Sequence, residues 1–175
     1  MVVFLVILFD LLLLSSVVKW TYPTTDSEHS DENEKDEQSS LIDLMHKPYD
    51  RLLCVMYLLG GLNLHKGGDH QNAVVYFDKA LDIDPNYAEL WKNKGNALSA
   101  QSRYDEALNC YEKALDINPN HSMAWKNKGI ALQELGRFEE ALECYNRTLE
   151  LYPHSDVAQK NKEYVMELLG NGTSI

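Results

Sequence analysis

The chain has 175 residues and a formal net charge of −11, from 27 Asp and Glu against 16 Lys and Arg. That length suits one small array with additions at its ends. The acidic balance argues against a nucleic-acid surface, which is normally basic.

Residues 1–20 form an apolar segment. A membrane span needs roughly 20 apolar residues. The run over residues 1–18 is shorter, carries Asp10 at its middle, and lacks both the basic lead and the small-residue cleavage site of a secretory signal. A membrane anchor through residues 1–18, a cleaved signal, a helix docked on protein, and an over-extended reading frame with a later start at Met45 all stay open. Residues 21–47 read as an acidic, disordered linker. Within them, residues 24–40 hold seven acids and one lysine, a balance of −6, with no large apolar side chain. Such a tract has nothing to bury.

From Pro48 the pattern changes. Proline suits the first turn of a helix, and the apolar run that follows predicts a long helix over about 48–66. The segment Ala88–Leu98 then returns 34 residues later as Ser122–Leu132: Trp91 recurs as Trp125, Gly95 as Gly129, Leu98 as Leu132. A weaker copy stands upstream in Tyr57, Gly61, Leu64, Ala73, Phe77, Ala80 and Pro85. In the second half of each unit, Ala107, Leu108, Tyr111, Ala114 and Leu115 follow helical spacing, as do Ala141, Leu142, Tyr145, Thr148 and Leu149. Thr148 stands where the other units have alanine. Glycine inside a helix costs about 1 kcal/mol against alanine, so its return at 61, 95 and 129 points to a packing need. Gly67-Gly68, Ser102 and Gly136 mark the turns inside units. Asp84-Pro85, Asn118-Pro119 and Tyr152-Pro153 end the second helices. Residues 156–169 predict a last helix in which Gln159 and Glu163 replace the tryptophan and the glycine. Polar replacement suits a terminal cap that meets water, with Gly170 as the helix stop and 171–175 as a tail. The whole is an all-α array over 48–170, with repeats at about 54–87, 88–121 and 122–155.

Spacing and residue types resemble the tetratricopeptide repeat, a helix-turn-helix unit of this length. The resemblance implies a solenoid of three repeats plus the C-terminal capping helix, with the first helices lining a concave, peptide-binding face. In that family the positions three before and one after the repeated glycine point into the groove. Here they are Leu58 and Leu62, Lys92 and Asn96, Lys126 and Ile130, with Lys160 and Tyr164 from the cap; Val55 and Asn127 join them as candidates. The groove is then apolar at one end and carries a ladder of three lysines further on, which favours an anionic partner. Co-chaperone members of the family hold chaperone tails with a clamp of Lys and Asn, a second Asn, then Lys and Arg. Lys92, Asn96 and Asn127 match its first elements, whereas Val157 and Asn161 stand where the last two belong.

The expected function is a non-catalytic scaffold that binds a protein or peptide, acidic in character, in this groove; the alternative is a regulatory or positioning subunit of an enzyme or chaperone assembly. No nucleophile, base and oxyanion donor are grouped as catalysis needs, there is no phosphate-binding glycine loop, and no cofactor or metal is expected. Cys54, Cys110 and Cys144 include no CxxC pair. They read as buried or half-buried thiols of an array in a reducing, cytoplasmic compartment. Two glycosylation patterns occur, at Asn146 and Asn171, and the first falls inside a predicted helix.

Overall fold

The computed structural model describes the backbone over residues 32–172 and side chains over 49–170. The chain divides into two compact units, 1–45 and 46–175. The apolar segment 1–20 and the start of the acidic tract lie outside the described residues. Among the described residues there are seven helices and no strand: α1 Glu32–Lys66, α2 His70–Ile83, α3 Ala88–Ser99, α4 Tyr104–Ile117, α5 Ser122–Glu134, α6 Phe138–Leu151 and α7 Asp156–Gly172. None of the helices searched there is long and apolar enough to cross a membrane.

Both ends of this series differ from the sequence expectation. α1 starts at Glu32 rather than near 48, so residues 32–47 are helical where a disordered linker was expected. Glu, Lys and Gln are good helix formers, and acids at a helix start favour its dipole. Pro48 accordingly sits inside the helix and not in its first turn. At the other end Gly170 does not stop α7, which runs on to Gly172. Gly170 is not among the residues of positive φ, the conformation a glycine stop adopts.

The repeated unit folds as its spacing predicts. Phe77, Tyr111 and Tyr145 are wholly buried, one in each second helix. Each lies against a glycine of the preceding helix. A Cβ built on Gly61, Gly95 or Gly129 would sit 2.6, 2.6 and 2.7 Å from the facing ring. The repeated glycine therefore exists for its missing side chain: it leaves room for the aromatic ring against the preceding helix. Ala73, Ala107 and Ala141, fully buried, are the small residues of the second helices. Thr148 is also buried, and its hydroxyl donates to the Cys144 carbonyl at 2.8 Å, which satisfies the one polar atom that alanine would lack.

The tryptophans of the first helices differ from the aromatics of the second. They are half-buried rather than enclosed. The Trp91 Nε1–H donates to the Pro85 carbonyl at 2.8 Å, and Trp125 to that of Pro119 at 2.9 Å. An indole N–H needs an acceptor, and here the acceptor is in the turn before the helix. The ring thus stays at the border of the core, with the Lys94 and Lys113 ammonium groups 5.4 and 4.9 Å from the Trp91 ring centre.

Within each unit the turn uses left-handed backbone, with φ of 88° at Gly68, 59° at Ser102 and 74° at Gly136. Serine pays about 1–2 kcal/mol for that conformation, partly offset by its smaller loss of freedom on folding than glycine's. Ser102→Gly is therefore expected to raise stability by about 0.5–1 kcal/mol in chemical denaturation. A loss of stability would mean that the serine side chain contributes something that outweighs the strain.

The second helices stop at Ile83, Ile117 and Leu151, each one residue before the X-Pro pair. Asp84 and Asn118 accept the backbone N–H of Asn86 and Asn120 at 3.1 Å each, so their side chains also shape the turn to the next unit. All three cysteines are buried and unpaired. Burial raises the Cys110 and Cys144 thiols to about 11, so they stay protonated near neutrality. Among the described residues, no group of three or more His, Cys, Asp or Glu could hold a metal ion.

Candidate functional site

The first helices α3, α5 and α7 lie side by side. On α5, Met123, Lys126, Asn127, Ile130 and Glu134 fall at helical spacing on one face. Thirty-four residues on, Val157, Lys160, Asn161, Tyr164 and Leu168 repeat that register on α7. A cavity of about 430 Å³ opens on this side. It is lined by Asn96 of α3, by Asn127, Ile130 and Glu134 of α5, and by Tyr104 and Tyr111 of α4, with His65 at its α1 edge.

The polar groups at the cavity hold one another. Asn96 Oδ1 accepts the Tyr111 hydroxyl at 3.0 Å and the Asn127 amide at 2.7 Å, so one carbonyl ties α3, α4 and α5 together. The pattern shifts in the next unit. The Tyr145 hydroxyl donates to Gln133 at 2.9 Å, and the Asn161 amide reaches that hydroxyl at 3.4 Å. Asn96 and Asn127 therefore lie together as expected, but their hydrogen bonds are partly committed to the protein.

The lysine ladder proves uneven. Lys92 is ion-paired with Glu89, which also meets His121 Nε2 at 3.0 Å. Lys126 has no carboxylate partner among the described residues and contacts Met123 Sδ at 3.6 Å. Its ammonium is held below the usual lysine range, first by burial and then by the nearby charge of Lys92. Lys160 is exposed on α7. The other lysines of the repeated Lys-Asn-Lys segment reach back to the preceding unit: Lys94 pairs with Asp78 at 2.5 Å and Lys128 with Glu112 at 2.9 Å.

The remaining candidates are spread. Val55 belongs to a second cavity of about 1000 Å³, shared with Asp50, Arg51, Cys54, Ile83, Asp84 and Tyr87, and not to the cavity of Asn96. Leu58 is half-buried in the first apolar cluster, Leu62 is exposed on α1, and Tyr164 is exposed on α7. Three participants were not expected from the sequence. Glu89 and His121 offset Lys92, and Met123 borders Lys126. Their signal was present in the register, since Glu89, Met123 and Val157 occupy one repeat position. The two histidines of the first turn also meet, with His65 Nδ1 3.0 Å from His70 Nδ1. Burial and the neighbouring ring both lower the His65 pKa.

Two family models match, both described as tetratricopeptide repeat, over residues 55–87 and 86–154. An uncharacterized protein of Methanocaldococcus jannaschii is 39% identical over 54 residues, which cover 31% of this chain and 63% of that relative's own length. Among solved structures, the TPR domain of Arabidopsis OM64 superposes with a TM-score of 0.67 at 20% identity, covering 67% of this chain and 98% of that one. The first TPR domain of Spaghetti (RPAP3), bound to the HSP90 peptide SRMEEVD, gives 0.67 at 24% identity, covering 68% and 94%. The second TPR domain of human RPAP3, in complex with the HSP70 peptide SGPTIEEVD, gives 0.65 at 21% identity, covering 67% and 98%. At these identities the superpositions show a shared fold.

Proposed function

Because this chain carries a tetratricopeptide repeat domain, we propose that it is a protein-binding module whose groove, along α3, α5 and α7, takes an acidic segment of a partner protein. The observation that carries this is Lys126. It is a half-buried ammonium beside a second lysine, with no carboxylate partner among the described residues. A cation kept in that position is costly until an anion arrives. A ligand carboxylate would relieve both the desolvation and the repulsion from Lys92. Asn96 and Asn127, which line the cavity together with Ile130 of the helix that carries Lys126, supply amide groups for a peptide backbone. Two solved relatives of the same fold are named as complexes with acidic peptides, which supports the class of ligand. The buried, unpaired thiols suit a module that works in a reducing compartment.

The peptide SRMEEVD serves as a probe, titrated calorimetrically into the full chain. Lys126→Glu is expected to weaken binding at least tenfold with helicity unchanged by circular dichroism. Affinity should also fall as salt rises, because the contact is between charges. Equal affinity of the wild type and the variant would remove Lys126 from the site and the reading with it.

A further inference from the structure

The two ends of the array meet water differently. On α7, Gln159 and Glu163 join each other at 2.6 Å on the exposed side, as a water-facing end should. On α1 the outward residues are apolar. Leu52, Val55, Leu59 and Leu62 are 45%, 45%, 55% and 36% exposed, and they recur at steps of three, four and three residues. That spacing keeps them on one stripe of the helix. Two of the four break the repeat in the same sense. Leu52 holds the position of Asn86 and Asn120, and Leu59 that of Asn93 and Asn127. In the inner units the second of these positions is covered by the protein itself: Asn93 is 6% exposed, and the Asn127 amide reaches Asn96 of the preceding unit at 2.7 Å. Among the described residues no unit precedes the first. There, where a terminal unit should gain polarity, asparagine has become leucine.

We propose that this stripe docks a second copy of the chain, α1 against α1 in antiparallel order across a two-fold axis. The chemistry of the stripe selects that occupant. Residues 52–64 contain no charged side chain, so two chains of net charge −11 meet here with fixed charges only at the margins. A three-four spacing is the seam along which side chains of one helix enter the gaps of another. The seam is also self-complementary: about a two-fold axis through its middle, Leu52 meets Leu62 of the second copy and Val55 meets Leu59, each contact occurring twice. Charge sets the direction. Ahead of the stripe, residues 32–43 of α1 hold five acids and one lysine, whereas its last turn carries His65 and Lys66. Parallel helices would lay the two acidic halves side by side. Antiparallel order sends each toward the basic end of the other and opposes the two helix dipoles. The stripe spans about 15 Å of helix, which suits a weak, concentration-dependent pair.

Analytical ultracentrifugation of the full chain, over a concentration series up to about 1 mM, the scale of a weak association, tests the pair. The wild type is expected to pass from a single chain of 20.0 kDa to twice that mass. The double variant Leu52→Asn, Leu59→Asn restores the residues of the inner units and adds no charge. It should weaken pairing at least tenfold, with helicity unchanged by circular dichroism. Leu59→Glu, a second variant at an exposed position, should weaken it further, because a charge in the seam has no partner there. Single-chain mass of the wild type throughout the series overturns the proposal and leaves the stripe to a different protein. A dimer that both variants leave as tight as before also overturns it, and places the association elsewhere in the chain. Binding of SRMEEVD is read separately in each variant, so the paired stripe and the acidic-segment site stand or fall independently.

Discussion

Replacing Tyr111 by alanine is expected to lower the unfolding free energy by about 3–5 kcal/mol, the usual cost of deleting a large buried aromatic. The ring is 1% exposed and closes the contact between α3 and α4 over Gly95. Its hydroxyl also holds Asn96, so truncation leaves an apolar void and disturbs an amide that bridges to Asn127. This is a large share of the stability of a domain of this size. Trp91→Ala should cost less. That indole is only half-buried, and the hydrogen bond it loses leaves the Pro85 carbonyl at an exposed turn where water replaces the donor. Urea denaturation of both variants tests the order. A greater loss at Trp91 than at Tyr111 would show that the tryptophan carries more of the packing than its exposure implies.

The second large effect is expected at Gly95. Alanine there gains about 1 kcal/mol of helix propensity, yet its methyl group would lie 2.6 Å from Tyr111 Cε1 and 2.9 Å from Cδ1. The ring is enclosed and cannot swing away, so α3 and α4 must separate. Forcing a methyl group into such a contact costs about 1–3 kcal/mol and occasionally more, so Gly95→Ala is expected to destabilise by about 2 kcal/mol net. Gly170 is the internal comparison: it is helical, and nothing lies within 4 Å of an added Cβ. Gly170→Ala should be neutral or mildly stabilising. A double-mutant cycle decides the cause, because Gly95→Ala should lose most of its cost in a Tyr111→Leu background. A penalty unchanged by the smaller partner would mean that the ring is not what excludes the methyl group.

Much of this architecture was legible in the repeat. Recurrence flagged a packing need at the glycine, and the turn and X-Pro signals placed the turns at Ser102 and Gly136 and the helix ends. Depth was less legible. Equal recurrence of Trp91 and Tyr111 says that both matter, not that one is enclosed and the other stands at the border. The difference comes from the polar edge of the indole and the position of Pro85. The ends were the least legible, because a repeat argument stops where repetition stops. Residues 32–40 carry no large apolar side chain that would announce a helix, although their Glu, Lys and Gln residues favour one. At the groove, the family resemblance implied the positions of Lys126, Asn127 and Ile130. It could not show that Glu89 reaches Lys92, that Met123 contacts Lys126, or that Val55 turns to another cavity. Those contacts depend on side-chain reach.

The side-by-side order of the helices also has a consequence in time. Among the described residues, each helix packs on the next in sequence or on the one after it. Contacts between such neighbours do not have to wait for distant parts of the chain to meet. Folding speed across small domains follows how far apart in sequence the native partners lie, so a chain of this order closes through short searches. It can start from any one helix pair and grow outward from there. Emerging from a ribosome, α3 and α4 could pair before α7 is made, with Phe77, Tyr111 and Tyr145 taking their places one after another.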